Sequence, residues 1–436
     1  MSINLYDVAK SLEQEMIERR RDFHKYPEAA WTEFRTASIV ADTLTELGFE
    51  VYTADEALLE SEMMGVPSAE ELKKHQERAI ADGANPKWVE RMTGGKTGVL
   101  AVMKFAKPGK TVAFRVDMDA NDVDETNDPN HLPNKEGFAS QYKNVMHACG
   151  HDAHTTMGLA LAKMIATYKE LFAGTIKIIF QCAEEGVRGG RAMAAKGIVD
   201  DVDYFFGMHI GNGRNYANSV TCMIGNFLAT SKIDAYFKGV SAHAGAAPQD
   251  GKNALLAAAQ SCISLHSIAR HGKGASRINV GVFNAGTGRN VLPDVATIKF
   301  ETRGATTDIN NYMETEAYRM IESAAKLYNV EVEFKAMGAA PSCKLDRALG
   351  EEAYKILSAV GKFDEVVPEG SLGGSEDVAY FMERIQERGG QAIFMYSGAK
   401  TSAGLHNSKF YMIDEGATMV AGAAAMAILA QAFSNK

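Results

Sequence analysis

Apolar and polar positions follow two different rhythms along this chain, and the change of rhythm divides it. Near the start, apolar residues recur every three or four positions, which predicts amphipathic helices over 5–22 and 34–47. Phe23-His24-Lys25-Tyr26-Pro27-Glu28 separates them, with proline as breaker, and Gly48 closes the second. Short unbroken apolar runs follow at 98–103, 111–116, 175–180, 204–208 and 392–396. Helical patterns at 152–170 and 188–196 lie between them, and the Ala-rich stretch 419–433 reads as a buried helix. Continuous apolar strands alternating with helices predict a sheet covered on both faces, so this part is α/β. Residues 52–96 are polar and helical in places, with little strand pattern; they read as an insertion on the outside, with no chemical role assigned.

Residues 229–338 read differently. A strand over 230–239 places Ile233, Ala235 and Phe237 on one face, and further strands are expected at 277–284, 295–303 and 331–336. Helices are expected at 251–271 and 306–328. The order β-α-β-β-α-β is that of the ferredoxin-like unit. The expected organisation is therefore a first domain made of 1–228 and 339–436, interrupted by a self-contained domain at 229–338. No internal repeat or low-complexity tract breaks this scheme.

Bulk composition narrows the function. The 436 residues suit two domains, and 46% hydrophobic content supplies a large core. A net charge of -9 argues against nucleic acid and against an anionic membrane surface as partners, so an anionic substrate needs a local Arg or Lys cluster. Five Cys at irregular spacing do not form a disulfide framework and fit a reducing cytoplasm. Met1 to Arg21 lacks an apolar core followed by a cleavage site, so no signal peptide is expected, and no long apolar run predicts a membrane span.

The candidate chemistry gathers at strand ends. Met146-His147-Ala148-Cys149-Gly150-His151-Asp152-Ala153-His154 packs a thiol, imidazoles and a carboxylate into nine residues at the start of a helix. Asp117 and Asp119 follow one strand, Glu184 and Glu185 a second, and His209 a third; His406 lies far downstream in Gly404-Leu405-His406-Asn407. Cys, His and carboxylates drawn from separate segments point to a non-structural metal site, and open α/β sheets build sites at the carboxyl ends of strands. Adjacent side chains on an extended segment point opposite ways, so Glu184 and Glu185 are expected to divide two roles, metal ligand and base. Cys149 as a nucleophile with His147 or His151 as its base is the rival chemistry, but it leaves the acidic pair and the other histidines without a role. Asp117 and Asp119 are candidates for ligands or for supports behind histidine ligands. His154, on the same helical face as His151, is expected at most to support. His24, His75, His131, His266 and His271 read as surface or packing residues. In the inserted domain, His243 lies in the loop Val240-Ser241-Ala242-His243-Ala244-Gly245, Arg289 and Asn290 in the turn 286–293, and Arg303 at a strand end; arginine and asparagine suit carboxylate recognition.

Six segments then agree in order with one family. His147-Ala148-Cys149-Gly150-His151-Asp152, Gln181-Cys182-Ala183-Glu184-Glu185-Gly186, Ser241-Ala242-His243-Ala244, Asn290-Val291-Leu292-Pro293-Asp294, Gly374-Ser375-Glu376-Asp377 and Gly404-Leu405-His406-Asn407 resemble the M20 family of metallopeptidases, over nearly the whole chain. They look like its amidohydrolase branch, and the 52–96 insertion with the runs Gly207 to Gly211 and Gly286 to Pro293 most resembles the p-aminobenzoyl-glutamate hydrolase group. The resemblance implies a zinc-peptidase-like α/β/α catalytic domain with a ferredoxin-like lid and dimerisation domain. It implies two divalent ions per subunit, Mn²⁺ first and Zn²⁺ second, held by Cys149, His151, Glu185, His209 and His406, with Cys149 as candidate bridge. Glu184 becomes general base and then acid, Asp119 a support, and His243 an oxyanion donor supplied by a partner's lid. Asn290, Arg303 and Arg289 would hold the leaving amino acid's carboxylate. The implied reaction is hydrolysis of an N-acyl amino acid, p-aminobenzoyl-glutamate or a conjugate such as indole-3-acetyl-aspartate, by a cytoplasmic homodimer or a heterodimer with a related subunit. A non-catalytic partner subunit is the competing class, but such proteins lose a ligand or the base, and none is missing here. Two departures from the family pattern bear on the pocket: Cys182 stands where proline is usual, and Ala120-Asn121-Asp122 replaces Ala-Leu-Pro.

Overall fold

The computed structural model describes residues 3–211 and 217–436. Among these, strands β1 (Glu50–Thr53), β2 (Val99–Lys104), β3 (Thr111–Asp117), β4 (Thr175–Gln181), β5 (Tyr204–Gly211), β6 (Ser219–Gly225), β7 (Ala229–Lys238), β8 (Ser276–Ala285), β9 (Val295–Gly304), β10 (Glu331–Ala340), β11 (Glu365–Ser371) and β12 (Gln391–Gly398) form two sheets. The chain divides into two compact units. One comprises Met1–Gly225, Lys344–Leu372 and Asp377–Lys436; the other comprises Asn226–Cys343 and Gly373–Glu376.

The first unit carries the eight-stranded sheet, in the order β1-β2-β4-β3-β5-β12-β6-β11. Its centre, β4-β3-β5-β12, is parallel. These strands are buried on both faces, which is why they read as unbroken apolar runs rather than alternating ones. Parallel register has a direct consequence for chemistry. Asp117 lies beside Gln181, and His209 beside Tyr396, so the residues leaving β3, β4 and β5 emerge along one edge.

Three strands were not expected from the pattern. β1 and β11 are sheet edges. β11 is Glu-Val-Val-Pro-Glu-Gly-Ser, and its proline is tolerated because an edge strand need not donate on its outer side. β6 contains Ser219 and Thr221 among its apolar residues and so lacks a clear run.

Helix His151–Thr167 lies against the centre of the sheet. A Cβ on Gly158 would approach Val116 and Phe180 to 2.8 Å, so only glycine permits this contact. The C-terminal helix Glu415–Ser434 is apolar all round, a pattern that suits a helix enclosed by the fold. It is long enough to cross a membrane, but 78% of its most apolar window is buried inside the protein. The 52–96 segment forms helices Ala69–Ala81 and Pro86–Arg91. It is pinned to helix Phe34–Glu46 through Asp42, which accepts from Trp88 Nε1 (2.7 Å) and Asn85 Nδ2 (3.1 Å).

The second unit is the four-stranded antiparallel sheet β10-β7-β9-β8. Counted within the unit, its strand order is fourth, first, third, second, the ferredoxin-like arrangement. Helices Ala254–His266 and Thr307–Leu327 cover one face, over a core that includes Ile233, Phe237, Ile298, Phe300 and Met313. β10 continues past the alternating stretch that ends at 336 because its register shifts between Ala336 and Gly338, and such a shift breaks the period-two pattern.

Candidate metal centre

The loop before helix His151–Thr167 fixes the first two candidate ligands. Gly150 caps the helix at φ +83, and a Cβ there would meet Ile210 Cδ1 at 2.4 Å. The cap therefore needs both the left-handed backbone and the missing side chain, and it brings the loop down onto the end of β5. Asn121 secures the loop from below. Its Oδ1 accepts the Ala148 N–H (3.0 Å), and its backbone pairs with Met146. The departure at 120–122 thus supplies a loop anchor.

The acidic pair sits in a strained turn rather than on an extended strand. Ala183 (φ 51), Gly186 (φ 83) and Val187 (φ 58) all have positive φ. A β-branched residue there costs about 1–3 kcal/mol and persists only when its surroundings impose it. Asp119 is what imposes it: its two oxygens accept the N–H of Glu184 (3.0 Å) and of Glu185 (2.8 Å), and Oδ1 also lies 3.3 Å from His151 Nδ1. Behind it, buried Glu33 accepts the Ala183 N–H (2.7 Å) and the Thr97 hydroxyl (2.6 Å). The expectation that Glu184 and Glu185 point opposite ways is corrected by this turn. Both carboxylates converge on one nitrogen, His151 Nε2, at 3.9 and 3.8 Å.

The five candidate ligands come together. Cys149 Sγ lies 3.4 Å from His209 Nε2, and His406 Nε2 lies 3.4 Å from Glu185 Oε1. Cys149, His151 and His209 form one mutually close triad, and Cys149, Glu185 and His406 form another. The thiol is common to both. Ligand bonds of roughly 2.0–2.3 Å place neighbouring donor atoms about 3–4 Å apart, the spacing found here. Among the described residues, buried His151 Nε2 and Glu185 Oε1 make no hydrogen bond, which leaves two donor atoms that a cation would satisfy. The residues therefore fit a metal centre.

Protonation shifts point the same way. His406 is pushed up to about 10, chiefly by Cys149 and then Glu185. Burial works against charge on Glu185, but His406 and His151 outweigh it and bring the carboxyl down to about 2. Burial, then Glu185, raises the Cys149 thiol. Thiol, carboxylate and imidazole are gathered at one point, where a cation would compete with protons for the same donor atoms.

A second layer orients the imidazoles. His209 Nδ1 donates to the Ile210 carbonyl (2.6 Å), leaving Nε2 bare toward Cys149. Burial and then His154 hold its pKa well below the usual imidazole range, so it is neutral, as a ligand must be. His154 accepts the Ile210 N–H at Nε2 (2.8 Å) and shares its Nδ1 proton with Asp117 (2.5 Å), so it supports the candidate ligands rather than joining them. Asp117 in turn pairs with buried Arg115 (2.7 Å). Buried Cys182 lies beside Gly98, where a Cβ would meet its Sγ at 3.3 Å.

Sequence reasoning missed a buried ionic network below the loop. His24 lies 2.8 Å from Asp152 and 3.1 Å from Glu125; Arg20 lies 2.8 Å from Asp152 and 2.9 Å from Glu415; His131 lies 2.9 Å from Glu125. Burial alone would neutralise Asp152, but Arg20 holds its carboxyl below the usual range. The available signal was Arg20 and His24 falling on the same helical face as Met16 and Phe23, a face that is buried.

In the second unit, His243 is exposed. Its Nδ1 accepts the N–H groups of Gly245 and Ala246 (3.1 Å each), which leaves the proton on Nε2 as an outward donor. Its loop pairs with the turn carrying Arg289 and Asn290: Ala244 N donates to Asn290 O (3.0 Å) and Leu292 N to Ala242 O (2.9 Å). Arg289 and Asn290 are exposed. Arg303 is not with them. It lies at the far end of β9 from that turn, eight residues beyond Val295 or about 26 Å at strand rise, paired with Glu301 at 2.9 Å.

A family model described as Peptidase family M20/M25/M40 matches residues 113–432. The chain belongs to this family. It is a hydrolase of the M20 type. It is 47% identical over 410 residues to indole-3-acetyl-aspartic acid hydrolase of Enterobacter agglomerans, and 46% identical over 411 residues to one of the subunits of p-aminobenzoyl-glutamate hydrolase from Escherichia coli (strain K12). Each alignment covers 93% of both chains. Among solved structures, an aminobenzoyl-glutamate utilization protein from Klebsiella pneumoniae is similar with TM-score 0.85 and 40% identity, covering 99% of this chain and 98% of that one. A dinuclear metal binding M20 peptidase from Bacillus subtilis is similar with TM-score 0.65 and 25% identity, covering 98% and 99%.

Proposed function

We propose that the chain is a dinuclear metal-dependent amidohydrolase that cleaves the amide bond of an N-acyl amino acid, with p-aminobenzoyl-glutamate as the first substrate. The observation that carries this is the pair of ligand triads meeting at Cys149, with Glu184, a member of neither, close to His151 and Glu185. Cys149, His151, Glu185, His209 and His406 would hold the ions. A thiolate among imidazoles and a carboxylate suits Zn²⁺, and the oxygen and nitrogen donors also suit Mn²⁺, which we take as the native ion. Bound there, two divalent ions would lower the pKa of an attacking water and polarise the scissile carbonyl.

The remaining work falls to the protein. Glu184, held in place by Asp119 through its own N–H, takes a proton from the attacking water and later delivers it to the departing amine nitrogen. His243 donates from Nε2 to the oxyanion. Arg289, Asn290 and Arg303 bind the carboxylate of the leaving amino acid. The separation of Arg303 from Asn290 along β9 supports a dimer: both can meet one substrate only if they come from two chains, so His243 and Asn290 would serve the partner's centre. The dimer would be a homodimer or a heterodimer with a related subunit, in the cytoplasm. The 47% identity to indole-3-acetyl-aspartic acid hydrolase supports indole-3-acetyl-aspartate as the second substrate to try.

The test is elemental analysis of protein reconstituted with Mn²⁺ or Zn²⁺, combined with release of p-aminobenzoate from p-aminobenzoyl-glutamate. About two ions per chain and turnover that chelator abolishes are expected. A chain that binds no metal, or that binds metal and cleaves neither conjugate, would overturn the reading.

A further inference from the structure

The outer face of the inserted unit's sheet holds a feature that the proposed reaction does not explain. On β9, Glu301 and Arg303 alternate with the buried Phe300 and Thr302, so they point away from the helices. β8 runs alongside as the edge strand, with Arg277 directly opposite Arg303 and Asn279 opposite Glu301. These residues, with Arg270 and Ser276, line a cleft of about 410 Å³.

The charges in this cleft do not balance. Glu301 is committed to Arg303, accepting from Nε at 2.9 Å and from the terminal nitrogen at 3.1 Å. Arg270 donates to the Ile268 carbonyl (2.9 Å) and has no carboxylate partner among the described residues. The Arg277 side chain makes no hydrogen bond or ion pair among the described residues. Three arginines against one glutamate leave two positive charges. Like charges placed directly opposite on neighbouring strands destabilise a sheet, so the fold gains nothing from pairing Arg277 with Arg303. An anionic ligand does gain: an open guanidinium fork binds a carboxylate through two parallel N–H bonds.

We infer that this cleft is a dicarboxylate-binding site in which Arg277, supported by Arg270, reads the side-chain carboxylate of a glutamyl or aspartyl group, while Arg303 meets the α-carboxylate. This rests on the amidohydrolase reading above, because the bound dicarboxylate is the leaving half of the substrate. The cleft's surplus of two positive charges matches two carboxylates, with Arg303 offering the α-carboxylate the terminal nitrogen that Glu301 does not engage; a monocarboxylic amino acid would leave Arg277 unpaired. Arg277 is then the residue that selects conjugates of acidic amino acids over those of neutral ones. Asn279, opposite Glu301, supplies an uncharged donor beside it.

The test compares p-aminobenzoyl-glutamate with p-aminobenzoyl-glutamine, which differ only in the charge of the distal group. Arg277→Met should raise KM for the glutamate conjugate about 10- to 100-fold more than KM for the glutamine conjugate, the range expected for losing a charge-assisted hydrogen bond. Arg277→Lys should recover part of that preference. Equal effects on both conjugates, or none on either, would overturn the inference. Calorimetry with L-glutamate and L-glutamine separates this from failure of the amidohydrolase reading. If the wild type cleaves neither conjugate yet binds glutamate in preference to glutamine, and Arg277→Met abolishes that preference, the cleft stands and the reaction falls. No preference in the wild type sinks the cleft itself.

Discussion

Asp119 commits both carboxylate oxygens to the backbone of Glu184 and Glu185, and Glu33 commits one to Ala183. Among the described residues, the His243 side chain in the inserted unit is held only by two N–H groups of its own loop, and the Arg277 side chain by nothing. Apart from the exposed His406, the first unit holds its reactive groups in a web where each support is itself supported. The second displays its groups on a small sheet whose core is elsewhere. The difference teaches where rigidity is needed. Donor atoms that must lie within a few tenths of an ångström of a cation require a built cradle, whereas groups that meet a substrate need only be displayed. It also predicts that damage to the supports of the first unit mixes stability with rate, while damage to the displayed groups of the second changes rate or substrate affinity without stability.

The largest effect is expected at Glu184. Glu184→Gln keeps the shape and the Asp119 contact, which is made by the backbone, but removes the proton acceptor. Turnover should fall by at least about 10³-fold while bound metal, read by elemental analysis, stays at the wild-type level. Retained turnover would remove Glu184 from the role of base, and lost metal would make it a ligand.

A smaller effect is expected at His243. His243→Ala should lower kcat about 10²–10³-fold and leave the melting temperature unchanged, because the side chain lies in a surface loop outside the buried core. Mixing it with Glu184→Gln protein should restore activity through dimers that carry one intact centre and one intact donor. A mixture no more active than its parts would break the assignment of His243 to a partner's site.

The smallest effect is a pH dependence of stability at Glu33. Burial, reinforced by Asp119, raises its carboxyl to about 8. A folded pKa above the unfolded value means that the folded state holds the extra proton between these limits, so stability falls as pH rises from roughly 4.5 to 8. Glu33→Gln removes that titration. Relative to the variant, the wild type should lose melting temperature progressively between about pH 5 and 8 in metal-free protein, with the difference constant outside that window. Parallel curves would show that Glu33 is not protonated in the fold.

Some features of the site were legible because they are local. Gly150-His151 at a helix start and Glu184-Glu185 after an apolar strand are short motifs whose neighbours in space are also neighbours in sequence. The ferredoxin-like order was legible from period-two alternation, which a one-sided sheet imposes on its strands. Edge strands β1 and β11 were not, because an edge imposes weaker demands on its residues. Glu33, His24 and Arg20 escaped because their partners lie far along the chain. Arg277 escaped because an exposed arginine on a strand looks like ordinary surface until the register places it against another.

By itself, then, the sequence determined which donor atoms exist, their order, and the strand ends that carry them, since side-chain chemistry and periodicity are written residue by residue. Tertiary structure alone decided that Cys149 belongs to both ligand triads, that Glu184 and Glu185 turn toward one imidazole, and that Asn290 and Arg303 lie at opposite ends of a sheet. Those are matters of distance between segments, and distance is set by parallel register, by a turn forced to positive φ, and by helix packing that only the folded chain possesses.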